Sequence, residues 1–152
     1  MIRDDIKAAL VAAMKSGERE RTAALRLIQS AIKNRDIELR GAGGAPADDD
    51  AMVVEVLQKM IKQRRESIAL YEQGGRDELA EAEKAEVTVI EEFLPRQMSE
   101  EEAKAAIDAI VAETGAASLK DMGRVMAALK DRHGGALDMS QASALVKARL
   151  QG

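Results

Sequence analysis

Apolar residues recur every three or four positions along nearly the whole of this 152-residue chain, and the run is interrupted most sharply at "EEFLPRQMSEEE", residues 91–102. That period matches the helical turn of about 3.6 residues and not the alternation of a strand. It predicts an all-α protein. Ile6, Leu10 and Met14 mark a first helix with Gly17 placed to end it, and Leu25, Ile28, Ile32 and Leu39 mark a second, ending at Gly41. A third carries Val53, Leu57, Met60, Ile68 and Tyr71 up to Gly74-Gly75. A fourth runs through Leu79, Val87, Ile90, Phe93 and Leu94 to Pro95.

Pro95 disfavours helical geometry at Leu94 and lacks a backbone donor, while Ser99 followed by Glu102 has the spacing of a capping box that opens a new helix. The interruption is therefore a joint. It divides a helical N-terminal domain of about four helices, residues 1–95, from a small three-helix C-terminal domain, residues 96–152. In the latter, Ile107 and Ile110 belong to a fifth helix ending at Gly115 and residues 118–132 to a sixth; Asp138 caps a seventh with Leu145 and Leu150. "GAGGAPADDD", residues 41–50, reads as a mobile surface loop whose aspartates favour the start of the third helix. Gly123 reads as architectural, its cost of about 1 kcal/mol against alanine being offset by close helix packing.

Composition removes several classes of function. Hydrophobic residues make up 46% of the chain, enough for a medium core and a smaller satellite. There is no cysteine, which excludes disulfides, thiol nucleophiles and thiolate metal sites and suits a reducing cytoplasm. Aromatic residues are 1%, so platforms for stacking bases are lacking. No stretch reaches the roughly 20 apolar residues of a membrane span, and the start of the chain lacks an apolar leader core. The expectation is a cytoplasmic protein with no membrane, metal or cofactor requirement.

Polar residues on the apolar stripes are more informative. At about 100° per residue, Arg64 falls among Leu57, Met60, Ile68 and Tyr71, and Glu83 and Glu86 fall among Leu79, Ile90 and Phe93. A hairpin bend at Gly74-Gly75 would bring residue 64 level with about residue 85, so Arg64 is expected to pair with Glu83 or Glu86. The pair reads as structural. Were it fully buried, loss of one member would cost about 3 to 5 kcal/mol.

No catalytic constellation emerges. The one histidine, His133 in "DRHGGALD", lies on the stripe of Met122, Met126 and Leu129 at a helix end, where an imidazole suits the last carbonyls and the helix dipole. "GAGGAP" has no preceding strand and no phosphate-binding lysine. Charge is uneven although it balances to −4: residues 77–113 hold three lysines and arginines against twelve acids. From Gly115 onward the order reverses, with Lys120, Arg124, Lys130, Arg132, Lys147 and Arg149 against three aspartates. The third helix adds Lys62 and Arg65 in "KMIKQRR". Such basic stretches are candidate phosphate contacts as well as ordinary solvated faces.

"ALRLIQSAIKNRDIE", "LQKMIKQRRESIALYEQGGRDELAEAEKAEVTVIEEFLPRQMSEEE" and "MGRVMAALKDRHGGALDMSQASALVKARL", in that order, resemble the GatB/YqeY family across essentially the whole chain. The resemblance is to its free-standing YqeY type and implies a helical N-terminal domain followed by a small helical C-terminal domain. The related domain forms the tail of the GatB subunit of the tRNA-dependent amidotransferase and is appended to some glutaminyl-tRNA synthetases, where it helps hold tRNA. What this implies is a non-catalytic tRNA-binding accessory module linked to glutamine-dependent amidation, a carbon-nitrogen ligase reaction. A synthetase or amidotransferase subunits would be its protein partners, and no DNA specificity is expected. The basic residues of the C-terminal segment would carry the contacts. A protein–protein adaptor and a small enzyme using His133 or a carboxylate are the alternatives.

Overall fold

A computed structural model describes residues 1–43 and 48–151. Those residues form seven α-helices and a short 3-10 turn, and no strand. The helices are α1 (Ile2–Lys15), α2 (Arg19–Gly41), α3 (Asp49–Gln73), α4 (Asp77–Glu91), α5 (Glu100–Thr114), α6 (Met122–His133) and α7 (Met139–Gln151), the 3-10 turn Leu119–Asp121 preceding α6. Two compact units result, Met1–Leu94 and Pro95–Gly152.

In the first unit α3 and α4 form a hairpin, against which α2 packs, and α1 lies on α2 and α3. Ile6, Leu25, Ile28, Leu57 and Ile90 are its largest fully buried side chains. The core is aliphatic because the chain offers almost nothing else; Phe93 packs at its margin. Two stripe residues are exposed instead. Met14 is 47% exposed and Leu79 44% exposed. A strict four-residue spacing advances about 40° around the helix at each step, so Met14 has drifted about 80° from Ile6, and Ala13 takes the buried place. Leu79 stands in the first turn of α4, where Ala80 is buried instead.

The expected loop at residues 41–50 is shorter than its composition suggests. Gly41 closes α2, Asp48 caps α3 by accepting the Ala51 amide at 3.1 Å, and residues 44–47 lie outside the described residues. Asp49 and Asp50 do more than favour a helix end. Asp50 accepts the amide of Ile2 at 3.0 Å, capping α1 from another helix. Arg3 donates to Asp36 at 2.8 and 3.0 Å and to Asp49 at 2.8 and 3.2 Å, so one guanidinium ties the start of α1 to the end of α2 and the start of α3. Its hydrogen bonds hold the Asp36 carboxyl below the usual aspartate range.

The second unit packs α5, α6 and α7 around Ile107, Ile110, Val125, Leu129 and Val146. Ser99 and Glu102 form the expected capping box. The sixth helical segment is divided, however: Ser118 and Asp121 make a second reciprocal cap on the 3-10 turn, and α6 begins at Met122. Gly123 also differs from expectation. A methyl group there would meet open space, whereas at Gly134 it would stand 2.5 Å from the Lys130 carbonyl oxygen. The close approach belongs to Gly134.

Two outcomes follow. Gly123→Ala should raise stability by up to about 1 kcal/mol and Gly134→Ala should lower it, read from chemical denaturation midpoints. The Asp36 contribution is present above the ordinary aspartate pKa of about 3.9 and is lost as pH falls through the depressed folded value. Arg3→Ala should therefore flatten the fall in stability below about pH 4. A variant whose acid limb keeps the wild-type steepness would show that the clasp does not couple to folding.

Candidate nucleic-acid interface

The candidate cations of the second unit fall into two groups. Asp121 accepts the amides of Ala117 and Ser118 on one oxygen, at 2.9 and 3.3 Å, and Arg124 Nη2 on the other at 2.8 Å. The amide of Ala117 contributes most to holding this carboxyl below its usual range. Arg132 at the end of α6 reaches Glu113 of α5 at 2.6 Å, which lowers the glutamate and raises the guanidinium. Arg149 of α7 donates to Asp108 of α5 at 2.8 Å. All three arginines are thus occupied, and two of them stitch α6 and α7 to α5.

The lysines are not. Lys120, Lys130 and Lys147 are exposed, and among the described residues none has a carboxylate partner. Across residues 95–152 eight lysines and arginines face eight acids, so the unit as a whole is neutral and its unpaired positive charge is confined to these lysines. The arginine pairs are about half-exposed, which makes each weak in water and exchangeable for another anion.

In the first unit Lys62 is exposed and likewise without a carboxylate, while Arg65 faces Glu91 at 3.7 Å. Arg64 lies on the α3–α4 seam. Its Nε donates to Glu86 Oε2 at 2.8 Å, and Nη1 reaches the Met60 carbonyl at 3.5 Å. Of the two glutamates compatible with the hairpin, Glu86 is the partner. Glu83 stands nearer the middle of the buried line through Ala80, Val87 and Ile90, and its Oε2 is buried with no hydrogen-bond partner among the described residues. The pair is half-buried, with Arg64 at 15% and Glu86 at 33% exposure, so the cost of breaking it falls below the fully buried case.

His133, the last residue of α6, is half-buried. Among the described residues no three histidine or carboxylate side chains converge to hold a metal ion, and no helix is long and apolar enough to cross a membrane. Sequence reasoning missed the Arg3 clasp and the acids on Arg132 and Arg149. Those partners lie 19 to 46 residues away, beyond any helical spacing.

Fold and charge arrangement together define an all-helical, two-unit protein with a small lysine-bearing second unit. It belongs to the YqeY-like protein family, which matches residues 3–150. Over 94 residues it is 31% identical to the Saccharomyces cerevisiae protein named altered inheritance of mitochondria protein 41, mitochondrial, covering 62% of this chain and 46% of that one. The protein of the same name from Clavispora lusitaniae is 37% identical over 90 residues, covering 59% and 47% respectively. An uncharacterized protein of Schizosaccharomyces pombe is 30% identical over 94 residues, covering 62% and 72%. The aligned stretch spans about half the length of the Saccharomyces and Clavispora relatives.

Arg64→Ala should cost about 1 to 3 kcal/mol, since a charged hydrogen bond is lost and Glu86 is left half-buried. Combined with Glu86→Ala it should be non-additive by more than about 0.5 kcal/mol, and combined with Glu83→Ala additive. Glu83→Leu, which removes an unsatisfied buried oxygen, should be neutral or stabilising. Coupling to Glu83 instead would reassign the seam.

Proposed function

We propose that this chain is a non-catalytic accessory module that holds tRNA through phosphates, acting in the cytoplasm alongside glutamine-dependent amidation of mischarged tRNA. The observation that carries the reading is the set of exposed lysines, Lys120, Lys130 and Lys147, none of which is ion-paired to a carboxylate among the described residues. Membership of the YqeY-like family supports it through the resemblance to the GatB tail. Scarce aromatic residues leave little room for base stacking, so contacts would be electrostatic and tolerant of sequence. Helical RNA is recognised through shape, backbone and 2′-hydroxyls, which favours folded tRNA over an unstructured strand of equal length. A synthetase or amidotransferase subunit would supply the chemistry.

Three phosphate contacts predict a log-log salt slope of about 2 to 3 for tRNA binding. Lys120→Glu, Lys130→Glu and Lys147→Glu together should abolish binding with helicity unchanged, and each single change should lower the slope by about one. Lys33→Glu with Lys59→Glu, exposed positions in the first unit without carboxylate partners among the described residues, serves as the control. The three arginines are poorer targets, because glutamate at 132 or 149 would face Glu113 or Asp108 and strain the unit. Binding that survives the lysine reversal, or none at low salt, would favour the adaptor reading, which the neutral balance of the unit supports.

A further inference from the structure

Opposite its buried side, α1 presents a second ordered face. Ile6, Leu10 and Ala13 point into the core. At about 100° per residue Asp4, Ala8, Val11 and Lys15 fall within about 60° of one another on the far side, spaced four, three and four residues apart. All four are exposed, Val11 at 40%, and with Lys7 and Ala12 they line a shallow groove of about 510 Å³ along the helix. That spacing matches the one found along the seam of a two-stranded coiled coil. Neither Asp4 nor Lys15 has a charged partner among the described residues.

The charge order selects the occupant. Asp4 and Lys15 stand equally far from the middle of the stripe, with Ala8 and Val11 symmetric between them. A helix running antiparallel in the same register would set its lysine on this aspartate, its aspartate on this lysine, and its valine against this alanine. Only a helix with the inverse charge order fits, and an antiparallel copy of α1 has that order. We infer that α1 forms a two-fold interface with α1 of a second copy of this chain, closed by two Asp4–Lys15 pairs. Small side chains at Ala8 and Ala12 let the backbones approach, and the antiparallel arrangement also opposes the helix dipoles favourably. Lys7 flanks the seam and keeps its ammonium in water. A helix of 14 residues, about 21 Å long, covers less than the roughly 1,200 Å² of a stable interface, so the dimer is weak and concentration-dependent.

Sedimentation equilibrium of the full chain over a range of concentrations tests this. The mass should rise from one chain toward two, and Val11→Arg should hold it at one. Asp4→Lys and Lys15→Asp should each push association to higher concentration, since each places like charges together twice. An equal mixture of these two variants should recover it, because the hybrid pair restores both contacts, as should the double exchange in one chain. Far-UV circular dichroism and thermal midpoints confirm that each variant remains folded. A mass of one chain at every concentration overturns the inference. So does association that Val11→Arg leaves unchanged, or a mixture that behaves as its separate components.

Discussion

The Ser99 hydroxyl accepts the Glu102 amide at 3.1 Å while the Glu102 carboxylate accepts the Ser99 amide at 3.2 Å, and this reciprocal cap settles where the second half of the chain begins. In a sequence with helix-forming residues almost everywhere, a helix is cheap to extend and the difficulty is ending it. Pro95 removes the donor that would continue α4. The following residues satisfy their polar groups elsewhere: Met98 donates to the Ala136 carbonyl at 2.8 Å, and the Gln97 side chain donates to the carbonyls of Pro95 and Gly135. The joint is thus anchored within the second unit. Its bonds bring the residues before α5 against the segment between α6 and α7, which is why Ser99 can start a helix that packs correctly.

Charge plays a different part in each unit. In the first, one arginine spans three helices: Arg3 binds Asp36 and Asp49 with all the geometry of a guanidinium fork, and a lysine could not hold both carboxylates in this way. In the second, Arg132 and Arg149 brace α6 and α7 against α5 from the outside. The aliphatic core lacks the directional preferences of aromatic rings. Ion pairs between helices at the rim supply part of the registry that such a core leaves loose.

Most of the architecture was legible because it is local. Period, glycine stops, Pro95 and the capping box are all encoded within a few residues, and the Arg64 seam followed from one hairpin bend. What escaped needed partners distant in sequence or a finer angle than a stripe conveys. Met14 and Leu79 satisfy a pattern of apolar spacing yet face water, because the helix turns by 100° and not by a quarter circle at each step. Gly123 and Gly134 look alike in sequence; only the nearness of the Lys130 carbonyl separates them. The same holds for the candidate interface. Six basic residues read as one set, but the acids on Arg132 and Arg149 lie on α5, and together with Asp121 beside Arg124 they divide the set into paired arginines and lysines without a carboxylate partner among the described residues.

That division bears on how a neutral unit could hold a polyanion. Net charge governs the attraction felt before contact, which salt screens away beyond the Debye length of about 8 Å, and a unit with balanced charge steers nothing at that stage. Close to the surface, individual ammonium groups matter, and an unpaired lysine offers a phosphate three donors with no carboxylate to displace. The arginines remain a reserve. A phosphate arriving at Arg124, Arg132 or Arg149 competes with a carboxylate already in place, and the energy gained is only the difference between two exposed pairs. Contacts of this kind would come on only after the lysines had brought the backbone near. Binding built in that order would be modest in strength, steep in salt and indifferent to base sequence, as the proposed role of holding a substrate for an enzyme acting elsewhere on it requires.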